Sequence, residues 1–140
     1  MSTTPKTLTL CLDLARAYAG MVRLIDGRLG SLHGLSFGDF AVLRALDRAP
    51  NGKLRRVDLA AALGLTPAAV TRSLIPLEKI GLVKREADKN DARVGYASLT
   101  AAGQRLLKEA TESAALVSEE VFSLDPGEVS DLSTLFAKLV

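Results

Sequence analysis

The sequence has no tryptophan, a single cysteine and a single histidine, and only four phenylalanines and two tyrosines. One cysteine, Cys11, excludes an internal disulfide framework and suits a reducing compartment. With His33 it supplies neither a Cys–His nucleophile pair nor a metal cluster, and no phosphate-cradling glycine loop or serine-nucleophile motif is present. An enzyme is therefore not expected, nor is a metal or other cofactor. Long apolar runs are also lacking: the stretch from Leu8 to Met21 is broken by Asp13 and Arg16, so no membrane span is expected. Nothing at the N-terminus reads as a secretory signal. Neither an internal repeat nor a low-complexity tract is found. The expectation is one cytoplasmic domain over residues 1–140, with no membrane association.

What is present is mostly aliphatic. Apolar residues make up 48 % of the chain, and their weight in Leu, Ala, Val and Ile favours a helical core over a β-sandwich. A chain of this length buries about two-thirds of its unfolded surface on folding. The net charge of +2 is unevenly spread. Residues 1–52 sum to +2; residues 53–93 carry nine Lys/Arg against five Asp/Glu; residues 94–140 carry three against seven. A basic middle beside an acidic C-terminal region fits an anion-binding segment on a solvated scaffold. Charges scattered over solvated faces would read the same way, so the motifs must decide.

Apolar spacing predicts a first helix over residues 8–29, closed by Gly30. Ser36, with Asp39 three residues on, caps a second helix running to about Arg48, and Leu35 can staple onto Phe40. A short extended piece around Leu54–Arg55 leads to a third helix, about Val57 to Leu63, which lacks a good side-chain cap but has Asp58 near its positive end. Gly64 ends it. Thr66–Pro67 opens a fourth helix reaching about Ile80, in which Pro76 predicts a kink or a loosened last turn. Residues 82–86 and 94–99 read as two strands around a polar turn, Ala87 to Arg93. Thr100 caps a fifth helix with Leu106, Ala110, Ala114, Val117 and Val121 on its apolar face. Asp125-Pro126-Gly127-Glu128 starts a sixth, carrying Val129, Leu132, Leu135, Phe136 and Leu139.

The run from Leu59 to Val70 carries helix-turn-helix spacing: Ala60 small where helices cross, Gly64 in the turn, Val70 a core knob. Val70, Leu74 and Leu77 share one face of the fourth helix; Ala68, Arg72, Ile75 and Lys79 share the opposite one, with Thr71 to the side. Small residues allow close approach to base pairs, and Arg72 has the reach of a guanine edge. A plain amphipathic helix pair has similar spacing. The hairpin that follows, with Lys84, Arg85, Lys89 and Arg93 about its tip, favours a winged helix whose wing contacts phosphates and the minor groove.

Taken together, Leu59-Ala60, Val70-Thr71-Arg72, the run Leu77 to Arg85 ("LEKIGLVKR"), Asp91-Ala92-Arg93 and Leu99 to Gly103 ("LTAAG") resemble the MarR family of bacterial regulators. The resemblance spans about residues 35–107. It implies a mainly α, winged helix-turn-helix fold of about six helices with a small β-hairpin wing. A DNA-binding lobe at about 35–99 and dimerisation helices at about 6–32 and 100–140 are implied with it. It further implies a homodimer on a pseudo-palindromic operator in double-stranded DNA. Thr66, Ala68, Ala69, Thr71 and Arg72 would face the major groove, and Lys89, Asp91 and Arg93 would belong to the wing, Arg93 reading the minor groove and Asp91 orienting it. Pro76, and Arg55-Arg56 where a capping Ser or Thr is commoner, depart from the family pattern. The apolar end, Leu135 to Val140, fits packing against a second subunit as well as within one.

The family's small aromatic or phenolic effectors bind between dimer helices and DNA lobe, where Tyr18, His33, Phe37 and Phe40 are the candidates; core or surface roles are the simpler alternative. His33 is expected in a surface loop. Cys11 invites comparison with the hydroperoxide-sensing branch, but its neighbours Leu10, Leu12 and Ala15 favour a small buried apolar residue. The function expected is a ligand-responsive, sequence-specific repressor; the alternatives are a one-cysteine redox sensor and a winged helix used for non-specific DNA or protein contact.

Overall fold

Side-chain acceptors set four of the helix starts. Ser36 Oγ accepts from Asp39 N at 3.0 Å while Ser36 N donates to Asp39 Oδ2 at 3.1 Å. Thr66, Thr100 and Asp125 accept in the same way from Ala69, Gly103 and Glu128. The computed structural model describes residues 3–139; Val140, counted above with the apolar end, lies outside them. The order of elements is α1 Lys6–His33, α2 Phe37–Asp47, β1 Lys53–Arg55, α3 Arg56–Leu63, α4 Pro67–Lys79, β2 Val83–Ala87, β3 Gly95–Leu99, α5 Ala101–Val121 and α6 Pro126–Ala137.

Two expectations are corrected here, the end of α1 and the buried face of α5. α1 runs through Gly30 to His33 and ends at Gly34, which takes φ +69° and returns its N–H to the Gly30 carbonyl at 3.1 Å. A glycine inside a helix costs about 1 kcal/mol; the added turn carries His33 to its hydrogen bond with Ser113 Oγ at 2.7 Å. Pro76 lies inside α4, which continues to Lys79 and is closed by Ile80 N to Pro76 O at 3.1 Å and Gly81 N to Glu78 O at 3.1 Å. The buried seam of α5 is Gly103, Leu107, Ala110 and Val117, with Leu106, Ala114 and Val121 only half-buried beside it.

The extended piece before α3 joins the wing. β1 pairs antiparallel with β3 (Lys53 opposite Ser98, Arg55 opposite Tyr96), and β2 pairs with the other edge of β3, giving the order β1-β3-β2. The core lies between α2, the second half of α1, α5, the α3–α4 pair and this sheet. Leu29, Leu43, Leu46, Leu59, Val70 and Val117 are fully buried in it. The first half of α1, residues 6–19, and nearly all of α6 stay outside: Leu10, Leu12, Leu135 and Phe136 are exposed, and in α6 only Leu132 is half-buried. Among the described residues no single helix is long and apolar enough to cross a membrane.

α5 begins where the backbone after α4 passes it. Thr100 N donates to Leu82 O at 3.1 Å, and Thr100 Oγ1 donates to Gly81 O at 2.6 Å while accepting from Gly103 N. A Cβ on Gly103 would stand inside the Leu82 carbonyl oxygen. Gly103→Ala is therefore expected to lower stability by about 1–3 kcal/mol. Gly38→Ala in α2 meets nothing closer than Ser36 Oγ at 3.7 Å and should be neutral or stabilising by up to about 1 kcal/mol. Urea unfolding midpoints check both; an unchanged midpoint for Gly103→Ala would refute the close approach.

Candidate nucleic-acid interface

Gly64, at φ +67°, turns the chain through 104° between α3 and α4. Leu65 N closes that turn on the Ala60 carbonyl at 2.9 Å, and Ala60, 3 % exposed, lets the helices cross closely. Val70, Leu74 and Leu77 anchor α4 in the core, which leaves Ala68, Arg72, Ile75 and Lys79 exposed on the opposite face. Thr66 is exposed as well, whereas Ala69 and Thr71 are half-buried. Thr71 donates its hydroxyl to Pro67 O at 3.1 Å and accepts from Arg56 Nη1 at 3.4 Å. α3 has no side-chain cap; Arg55 instead donates Nε to Asp58 Oδ2 at 2.9 Å, and that partner raises its pKa.

The loop over residues 88–94 is tied by two aspartates. Asp88 Oδ1 accepts from Asn90 N at 2.7 Å and Asp91 N at 3.1 Å, and its other oxygen accepts from the Tyr96 hydroxyl at 3.0 Å. Asp88 N reaches across to Val94 O at 2.9 Å. Asp91 takes the Arg93 backbone N at 3.0 Å and its guanidinium through Nε at 3.0 Å and Nη2 at 3.1 Å. The Arg93 side chain is 90 % exposed and still held in one direction. These bonds set the charge states. The Asn90 amide, then Tyr96, hold the Asp88 carboxyl below the usual aspartate range; Arg93 does the same for Asp91; Asp88 raises the Tyr96 phenol.

Lys84 and Arg85 are not at the tip, as expected above, but near the start of β2. There Lys84 pairs with Glu86 at 3.6 Å and Arg85 with Glu78 at 3.1 Å. Arg72, Lys79 and Lys89 are exposed and form no ion pair among the described residues. The outer face of α4 thus carries unpaired cations, and the hairpin whose β2 strand packs against that helix carries a braced arginine. Arg56, which sequence reasoning missed, adds a cation next to Thr71; its partner lies 15 residues away, beyond any local pattern.

The effector candidates separate. Phe37 and Phe40 line a cleft of about 290 Å³ between α1, α2 and α5, together with Met21, Ile25, Arg44 and Thr111. Tyr18 lines a neighbouring groove with Leu14, Leu24, Phe122 and Phe136. His33 belongs to neither. It is the last residue of α1 rather than a loop residue, is half-buried, and shares a 2.7 Å hydrogen bond with Ser113 Oγ. Cys11 is exposed, not buried, because the first half of α1 projects beyond the core. Among the described residues no three His, Cys, Asp or Glu side chains converge as a metal site would require.

The MarR family model matches residues 35–94. Transcriptional regulator HosA of Escherichia coli O111:H- is 34 % identical over 101 residues, 72 % of this chain and 73 % of its own. Sco3205 of Streptomyces coelicolor, a MarR family regulator solved in complex with DNA, superposes with a TM-score of 0.88 at 21 % identity, over 99 % of this chain and 88 % of that one. BpsR of Bordetella bronchiseptica, whose DNA binding is regulated by 6-hydroxynicotinic acid, gives 0.82 at 26 % identity, over 94 % and 98 %.

The bonding of the wing loop has a pH signature. A carboxyl whose folded pKa lies below its unfolded value of about 3.9 stabilises the fold fully above that value. The stabilisation is lost as pH falls through the lower folded pKa. Asp88 should titrate by NMR below a free aspartate, and Tyr96→Phe should move it back upward. An Asp88 titration that ignores Tyr96→Phe would show that the phenol does not brace the loop.

Proposed function

This chain belongs to the MarR family of DNA-binding transcriptional regulators, and on that premise we propose that it is a ligand-responsive repressor, a homodimer that occupies a pseudo-palindromic operator. One observation carries the reading: Arg72 stands exposed and without an ion pair on the outer face of α4, next to a hairpin whose Arg93 is aimed by Asp91. A guanidinium on a major-groove helix pairs bidentately with guanine O6 and N7, and one on a wing suits the negative potential of a narrow minor groove. Thr66 and Ala68 border the same surface, Ala69 and Thr71 support it from the side, and Lys89 adds a phosphate contact. The relative solved with DNA supports this use of the fold.

The dimer reading rests on apolar surface. Leu8, Leu10, Leu12 and Leu14 on α1, with Val129, Leu135, Phe136 and Leu139 in and after α6, lie exposed in a single subunit. A second copy covering them would place two α4 helices on successive major grooves about 34 Å apart. In this division residues from about 6 to 32 and about 100 to 140 serve assembly and about 35 to 99 serve DNA.

For the signal, the cleft lined by Phe37 and Phe40 suits a small aromatic acid, its ring against the phenylalanines and its carboxylate toward Arg44. A neighbour regulated by 6-hydroxynicotinic acid supports that ligand class. A ligand there biases the subunits toward a spacing that no longer matches the operator.

Fluorescence anisotropy with the duplex upstream of its own gene should give a preference of about 10³-fold or more over random duplex. Arg72→Ala should weaken operator binding by about tenfold or more, and Arg93→Ala should also weaken it. Equal affinity for random duplex, untouched by either substitution, would leave the family fold without a base-reading role. Sedimentation at micromolar concentration should give a dimer; a monomer would remove the two-fold operator from the proposal.

A further inference from the structure

The exposed face of α4 holds one feature that phosphate binding does not require. Ile75 is 42 % exposed on a helix whose other apolar side chains of comparable size, Val70, Leu74 and Leu77, are buried. It lies in line with Ala68, Arg72 and Lys79, all exposed, and the face they form has no acidic residue. Glu78, the helix's one carboxylate, lies to the side and is engaged by Arg85 at 3.1 Å. Neither asparagine nor glutamine occurs anywhere in α4.

That inventory limits which base edges the helix can read. Adenine is matched bidentately by Asn or Gln, and the cytosine amino group by a carboxylate; the outer face offers neither. It offers a guanidinium for guanine and a branched aliphatic group for the C5-methyl of thymine. Ile75 suits the second task. A β-branched side chain in a helix is nearly confined to one χ1 rotamer, so little freedom is lost on contact. Its position three residues beyond Arg72 places it about 4.5 Å further along the axis. The base-pair rise is about 3.4 Å, so the two side chains address different, nearby steps.

Resting on the base-reading role proposed above, we infer that Ile75 is a specificity-determining residue that reads the methyl group of one thymine in each half-site, close to the guanine read by Arg72. The positive charge of Arg72 and Lys79 draws the duplex to this face, and the methyl contact selects among duplexes that charge alone does not distinguish.

The test uses the full-length protein and an operator enriched from a random duplex pool. Each thymine of the half-site is replaced in turn by deoxyuridine, which removes the methyl and leaves every hydrogen-bonding group. The wild type should lose about fourfold in affinity at one position per half-site, as expected for one buried methyl. Ile75→Ala should be indifferent at that position, with an unchanged salt slope, because it loses no phosphate contact. If the wild type prefers its operator yet ignores deoxyuridine everywhere, or if the enriched site has no thymine, the methyl reading is wrong and base reading stands. If wild type and Ile75→Ala lose equally at the same position, another side chain reads that methyl and the assignment to Ile75 fails. If no operator is enriched over random duplex, both proposals fall together.

Discussion

The contact on which the molecule's geometry depends is the passage of the Leu82 carbonyl against Gly103. No side chain intervenes between the backbone leaving α4 and the first turn of α5. Thr100 fastens the contact three ways, through its N–H to Leu82, its hydroxyl to Gly81 and its acceptance of the Gly103 N–H. Backbone held against backbone has few rotamers in which to give way. The orientation of α4 is therefore inherited by α5, the longer of the two helices, and through it by the surfaces assigned to the second subunit.

A second set of ties joins α1 to the rest. Asp26 on α1 accepts from Phe37 N at 2.6 Å, so the start of α2 is held by a neighbouring helix as well as by its own capping box. Arg28 meets Glu120 and His33 meets Ser113, both across to α5. The cleft lined by Phe37, Phe40 and Arg44 lies among these ties. Anything that enters it pushes on elements tied at both ends, and packed elements answer such a push by shifting as bodies rather than by local yielding.

Much of this was legible in the sequence because it is local. Ser36, Thr66, Thr100 and Asp125 each announce a helix start within four residues, and the outer and inner faces of α4 follow from its period. What escaped depends on distance in the chain. Gly30 and Gly34 are equivalent stop signals until the last turn finds a distant partner, His33 meeting Ser113 on α5. β1 finds its partner more than 40 residues on. His33 reads as a lone loop histidine because Ser113 is 80 positions away. The wing cations looked alike until Glu78 and Glu86 took Arg85 and Lys84 out of the free set. Arg44 gave no signal at all, since nothing near it in sequence marks the cleft it lines.

The two faces of α4 are held to different standards. Val70, Leu74 and Leu77 are under the discipline of the core, whereas Ala68, Arg72, Ile75 and Lys79 are exposed. Surface substitutions of that kind usually alter stability by no more than about 0.5 kcal/mol. A duplicated copy of this gene can therefore drift across four outward positions while its fold and its contact with α5 remain intact. If that face reads DNA as proposed, new regulatory targets lie a few such steps away in sequence, which makes the outer face of α4 the natural point of divergence for this architecture.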